Sequence, residues 1–469
     1  MHCGYVVEVK ELRKHSNADR LQVATFFGSD TIVDLNVKVG DIGVYFPVDL
    51  QLSEEFCEQN NLVRKKDENG NNIGGFLEPD KRNIKAINLR GEKSDGLYMP
   101  LKSFDYCFIS DEDRDNPFID ITEGIAYNHM KVGDQVTMLN GHEICKKYIP
   151  RKQYKQGGYS SGNKTRKHKV AYAPLFAEHA DTEQLAYNLG AFKAGDEIEI
   201  TLKMHGTSQR TGYLPVLKGY KKTLWEKITR KEGTPIYEYD YVSGTRRVVM
   251  EDFEGGNSFY GSNAFREQHH NTFVGKLNKG ETVYYEVVGF TDTGAPIMAT
   301  GNNDKVGKDF VKQYGKETVF SYGCTASGYP ANDDGPKDPA NQSSLYVYRM
   351  TMTNEDGFVV EYTPDFMRYR CEQMGVKSVP VFTKFILHDY DLEIDERAPG
   401  EIVKDIAERY YSGPDPVGKK HTREGVVVRI LNRPKFAAFK HKCWEFKLLE
   451  GLIKDTAEAP DMEEAQEVE

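Results

Sequence analysis

One segment of this chain carries the residue types for nucleophilic chemistry: Ile198-Glu199-Ile200-Thr201-Leu202-Lys203-Met204-His205-Gly206-Thr207-Ser208. Its alternating apolar residues predict a strand that ends at Lys203. Gly206 follows closely and would let the backbone turn tightly around a bound nucleotide. A lysine amine attacks phosphorus only when deprotonated, so its pKa must fall from about 10.4. Nearby positive charge and partial desolvation both act in that direction. Lys-x-x-Gly alone is a common strand-to-turn pattern, so its meaning depends on what the rest of the chain brings to it.

Four later segments bring polar groups in strand-like settings. Val283-Tyr284-Tyr285-Glu286-Val287-Val288-Gly289 places one carboxylate among apolar residues. A buried acid needs a partner, and a ribose hydroxyl, a metal or a strand salt bridge would each serve. Leu345-Tyr346-Val347-Tyr348-Arg349-Met350-Thr351 alternates, so Tyr346 and Tyr348 share a face. A tyrosine there either stacks on a base or packs in the core. In Arg423-Glu424-Gly425-Val426-Val427-Val428-Arg429 a carboxylate opens a strand, and Glu424 is a candidate Mg²⁺ ligand, direct or through water. The ion would neutralise phosphates and orient a pyrophosphate leaving group. Ala438-Phe439-Lys440-His441-Lys442-Cys443-Trp444-Glu445-Phe446 sets Lys440 and Lys442 on one strand face. Like charges side by side repel by about 1 kcal/mol in water and more where solvent is excluded. An anion between them would relieve this; alternatively, they guard an exposed strand edge.

Taken in that order, these segments resemble the covalent nucleotidyltransferase superfamily of ligases and mRNA capping enzymes, and most closely its ATP-dependent RNA-repair branch, which seals nicked duplex RNA. Lys203-Met204-His205-Gly206-Thr207 is similar to motif I, Ser243-Gly244-Thr245-Arg246-Arg247 to motif Ia, Tyr285-Glu286 to motif III, Tyr346-Val347-Tyr348 to motif IIIa, Glu424-Gly425 to motif IV and Lys440-His441-Lys442 to motif V. The resemblance implies that Lys203 is adenylylated by ATP with Mg²⁺ or Mn²⁺ and that His205 and Gly206 hold the nucleotide, His205 by positioning phosphate or metal. It implies that Arg246 touches phosphate or the RNA end, though Arg247 is an equal candidate. Glu286 would bind ribose hydroxyls, Tyr348 would stack on adenine, and Glu424 would serve the metal. Lys440 and Lys442 would hold the α-phosphate and lower the pKa of the nucleophile. AMP would then pass to an RNA 5′-phosphate, and a 3′-OH would displace it. Two departures stand out: Leu202 precedes the lysine where related ligases often carry Glu, and the stretch from 291 to 344 is long. A GTP-using capping enzyme and a non-catalytic RNA-binding protein are the competing readings.

The elements that must position these groups suggest an α+β architecture with antiparallel sheets and helices, ATP-grasp-like, over residues 171–452. Strands are predicted at Glu197–Leu202, Thr282–Val288, Leu345–Thr351, Phe358–Tyr362 and Gly425–Ile430, and helices at Asp365–Met374 and Gly400–Tyr411. Residues 1–149 read as short strands punctuated by Gly and Asn, which suggests a small OB-like barrel. Ile84 to Leu97 resembles part of the OB domains attached to tRNA synthetases and some RNA ligases, although a hairpin explains it equally well. Residues 150–170 read as a Gly/Ser-rich basic linker that either tracks phosphates or acts as a solvated hinge.

The net charge of −10 argues against a generally basic nucleic-acid binder, but its distribution matters more than its sum. Arg151, Lys152, Lys155, Lys164, Arg166, Lys167 and Lys169 cluster without an acid, and residues 453–469 read as an acidic disordered tail. No apolar run reaches the roughly 18 residues of a membrane span. Seven scattered cysteines without CxxC pairs suggest neither a structural zinc site nor a disulfide framework. A cytoplasmic RNA-handling enzyme, monomeric by default, is the expectation.

Overall fold

The computed structural model of the chain describes residues 2–66, 68–70, 72–108, 125–149, 172–229, 233–250, 252–253, 260, 262–330, 336–388 and 397–456. The chain divides into two compact units, Met1–Pro150 and Arg151–Glu469. The basic stretch 150–170 and the acidic residues 457–469 lie outside the described residues. Helix Trp444–Thr456 covers the start of what reads as a tail from 453.

A three-fold sequence echo explains how several strands begin. In Lys38-Val39-Gly40-Asp41, Lys131-Val132-Gly133-Asp134 and Lys193-Ala194-Gly195-Asp196 the glycine has positive φ, and the Asp N–H donates to the Lys carbonyl. The Asp carboxylate in turn accepts the Lys N–H at 2.8, 2.7 and 2.9 Å. Each is a β-turn closed twice over, with glycine where a side chain would be strained. A strand follows each turn, at Ile42–Phe46, Gln135–Val136 and Glu197–Lys203.

In the first unit an antiparallel sheet runs in the order Leu97–Pro100, Ile42–Phe46, Gly4–Glu8, Gln135–Val136. Val6, Val44 and Phe46 pack with Leu50, Leu52, Phe56 and Phe104. Leu12–Lys14, Leu21–Phe26 and Ser29–Asp34 form a separate sheet. The stretch from Ile84 to Leu97 holds a hairpin of Ala86–Leu89 and Glu92–Asp95, reversed at Arg90 and Gly91, both with positive φ. The sheets are distinct and no barrel closes among the described residues.

The second unit has two large antiparallel-dominated sheets and a small two-stranded one, Gly301–Asn302 with Glu317–Thr318. The larger has the order Val249–Met250, Thr234–Gly244, Thr207–Lys221, Glu281–Gly289, Ser343–Thr353, Val359–Glu361. The smaller runs Glu183–Gln184, Ala437–Lys442, Gly425–Ile430, Glu197–Lys203, Val381–Ile386. Strand alternation sorts its side chains. Ile198 and Ile200 join Val426, Val428 and Ile430 in a core closed by Val403 and Ala407 of helix Pro399–Glu408. Glu199, Thr201 and Lys203 face the other way. Helix Pro364–Met374 starts where the Thr363 hydroxyl accepts the Phe366 N–H and ends at left-handed Gly375. Its Met367, Cys371 and Met374 pack under Val283, Tyr285 and Val347 of the larger sheet. No helix among the described residues is long and apolar enough to cross a membrane.

Candidate active site

Both sheets of the second unit line one cleft of about 1330 Å³, mouth included. The smaller sheet contributes three rungs. Lys203, Gly425 and Lys442 lie abreast; Thr201, Val427 and Lys440 form the next rung; Glu199, Arg429 and Ala438 form the third. From the larger sheet come Ser208, Glu286 and Tyr348. Every site residue predicted from the sequence lines this cleft: Lys203, His205, Gly206, Arg246, Glu286, Tyr348, Glu424, Lys440 and Lys442. Arg247 does not. Of the two arginines, Arg246 is the less exposed, and both are gathered by Asp181.

At the strand end sits a charge cluster. Glu424 is buried, and its Oε1 lies 2.9 Å from Lys203 Nζ and 3.5 Å from Lys442 Nζ. Lys442 also donates to both oxygens of Glu450, at 2.9 and 2.8 Å. Burial works against the charged Glu424 carboxyl, but Lys203, Lys442 and His205 outweigh it and hold its pKa well below the usual carboxylate range. The cationic surroundings expected for Lys203 are thus interleaved with carboxylates. Glu424 and Glu450 are the anions at Lys442. For the Lys203 amine to act as a nucleophile, its ion pair with Glu424 would have to open.

Glu424 Oε2 is buried without a hydrogen bond, and His205 Nδ1 stands 3.5 Å from it. Among the described residues no group of three or more His, Cys, Asp or Glu is placed to hold a metal. A buried carboxylate oxygen without a hydrogen bond fits a hard divalent cation that takes its remaining oxygens from water and phosphate, the manner of Mg²⁺.

The glycines are explained by crowding. A Cβ on Gly425 would lie 2.0 Å from the His441 carbonyl oxygen, and one on Gly206 would lie 2.4 Å from the Val287 carbonyl oxygen. Gly206 is therefore constrained by the neighbouring strand, rather than by nucleotide approach alone. Its N–H donates to Glu286 Oε1 at 3.1 Å, and Ser208 Oγ donates to Glu286 Oε2 at 3.3 Å. Glu286 therefore clamps the turn after Lys203.

At the far end Tyr348 faces His179, with ring centroids 5.2 Å apart. Burial, reinforced by Arg246 and Arg349, pushes the His179 pKa down to about 3, so its imidazole is neutral near pH 7. Tyr346 is buried in the core with Leu202 and Met204. Sequence reasoning missed His179, Glu199, Arg368 and Glu450, all of which line the cleft. Glu199 was legible, because it shares the Lys203 face by strand alternation. Arg368 donates to Glu199 at 2.8 Å from helix Pro364–Met374, a pairing that no local pattern announces.

The fold is shared with an RNA ligase of known structure. The chain is similar to Naegleria gruberi RNA ligase. A Glu-to-Ala variant of that protein with AMP and Mn gives a TM-score of 0.53 at 15% identity, covering 95% of this chain and 98% of the other. A Lys-to-Met variant with AMP and Mn gives 0.52 at 16%, with the same coverage. A Lys-to-Ala variant with ATP and Mn gives 0.50 at 15%, again with the same coverage. No protein-family model and no curated protein matches the sequence.

Proposed function

We propose that the protein is an ATP-dependent RNA ligase that joins RNA 3′-OH and 5′-phosphate ends through a lysyl-AMP intermediate on Lys203. The observation that carries this reading is the convergence of Lys203, Glu286, Tyr348, Glu424, Lys440 and Lys442 on one cleft in a fold shared with RNA ligases.

In step one the Lys203 amine attacks the α-phosphorus of ATP. The P–N bond forms as the bond to the β-phosphate bridging oxygen breaks, and pyrophosphate leaves. In step two an oxygen of an RNA 5′-phosphate attacks the adenylyl phosphorus and restores Lys203. In step three the 3′-OH attacks the activated 5′-phosphate and AMP departs. Lys440 and Lys442 hold phosphate oxygens, Glu286 the ribose hydroxyls and Tyr348 the base, while Arg246 meets phosphate or the RNA end. A divalent cation on Glu424, Mg²⁺ or Mn²⁺, would supply charge neutralisation and compete with the Lys203 ammonium for that carboxylate. Positioning and charge then provide most of the rate.

The same reading makes the first unit an OB-like grip on RNA and gives the protein a role in RNA repair in the cytoplasm. The test is sealing of nicked duplexes in which each strand is made in turn of RNA or DNA, with ATP or GTP. ATP-dependent sealing of an RNA-containing nick is the expected result. Sealing of none, or consumption of GTP alone, contradicts it.

A further inference from the structure

The stretch from 291 to 344 holds a two-stranded sheet, Gly301–Asn302 with Glu317–Thr318, and a helix, Lys308–Tyr314. It also holds a non-glycine residue in the left-handed region: Tyr322, with φ +49°, followed by Gly323 at +82°. A tyrosine persists in that conformation only where its surroundings enforce it. Its buried ring stands edge-on to His421, centroids 4.6 Å apart. Phe320 from the same loop and Phe446 from helix Trp444–Thr456 pack edge-on to the His205 ring at 4.5 and 4.8 Å.

The Tyr322 hydroxyl oxygen accepts the His205 backbone N–H at 2.7 Å. That amide lies in the turn just past Lys203, where the ladder to the neighbouring strand ends with the Lys203–Gly425 pair. The Gly206 amide of the same turn goes to Glu286. Two successive amides after the nucleophile are thus held by side chains from two other elements. One of these is in a strained backbone conformation.

We infer that Tyr322 is a positioning residue for the nucleophile: its hydroxyl fixes the backbone beyond Lys203, and so the line along which the amine meets the α-phosphate. This rests on the reading of Lys203 as the adenylylated residue. The segment between Gly289 and Ser343 then serves as a brace behind the nucleophile.

The test uses full-length Tyr322→Phe, which removes one oxygen and keeps the ring. Two rates are measured per folded protein: single-turnover formation of the protein–AMP adduct from labelled ATP, and ATP-free sealing of a nick whose 5′ end is already adenylylated, a step that needs no attack by Lys203. The adduct rate at saturating ATP should fall by about 10- to 100-fold, the scale of a misplaced reacting group. The ATP KM and the sealing of the preadenylylated nick should stay near wild type. An unchanged adduct rate, or an equal fall in both steps, overturns the inference. A wild-type protein that forms no adduct overturns the ligase reading itself, so the two failures are distinct.

Discussion

Glu424 is where charge and stability meet. It is fully buried, flanked by two ammonium groups and an imidazole, and its carboxyl ionises far below its ordinary 4.5. A group whose folded pKa is depressed contributes stability above its unfolded pKa, and that contribution is lost as pH falls through the folded value. Glu424→Gln should therefore lower Tm fully at neutral pH, and the gap to wild type should shrink as pH drops below 4.5. A gap as large at about pH 3 as at pH 7 would contradict the ion-pair account. Lys203→Met should abolish adduct formation and lower Tm less than Glu424→Gln does, because Lys442 still faces Glu424. A smaller fall in Tm, with no adduct, is the expected pair of results.

At the scale of elements, the Lys-x-Gly-Asp turns show how one local device acquires different weights. Asp41 closes its turn near the surface. Asp196 closes the turn before strand Glu197–Lys203 and also takes two hydrogen bonds from Arg433, at 2.9 and 2.7 Å. Asp41→Ala should cost about 1 kcal/mol, one local hydrogen bond. Asp196→Ala should cost about 2 kcal/mol or more, since it also removes two charge-assisted hydrogen bonds from Arg433. Urea unfolding midpoints of the two variants measure this, and equal losses would count against it. These turns, and the strands after them, were legible because glycine and aspartate act locally. So was the face of strand Glu197–Lys203, since a period of two needs no tertiary knowledge. The partners of that face were not. Glu450 reaches Lys442 from a following helix, Arg368 reaches Glu199 across more than a hundred residues, and Tyr322 meets the His205 amide from a loop without periodicity. The expected cationic environment of Lys203 missed Glu450 for the same reason.

Across the whole molecule, every residue of the candidate site belongs to the second unit, from His179 to Glu450. A chain of residues 151–469 should therefore still form the nucleotide adduct while sealing RNA with a raised KM for the nick. Loss of adduct formation in a folded 151–469 chain would show that the first unit takes part in nucleotide chemistry. The OB-like barrel expected for the first unit rested on strand counts and turn residues, and these specify strands but not how a sheet closes. The most direct test of the central claim is incubation of the full chain with ATP labelled at the α-phosphate and a divalent cation, followed by denaturing electrophoresis. The account predicts an acid-labile covalent label on the wild type and none on Lys203→Ala. A wild type that stays unlabelled, or a Lys203→Ala protein that still carries label, would contradict it.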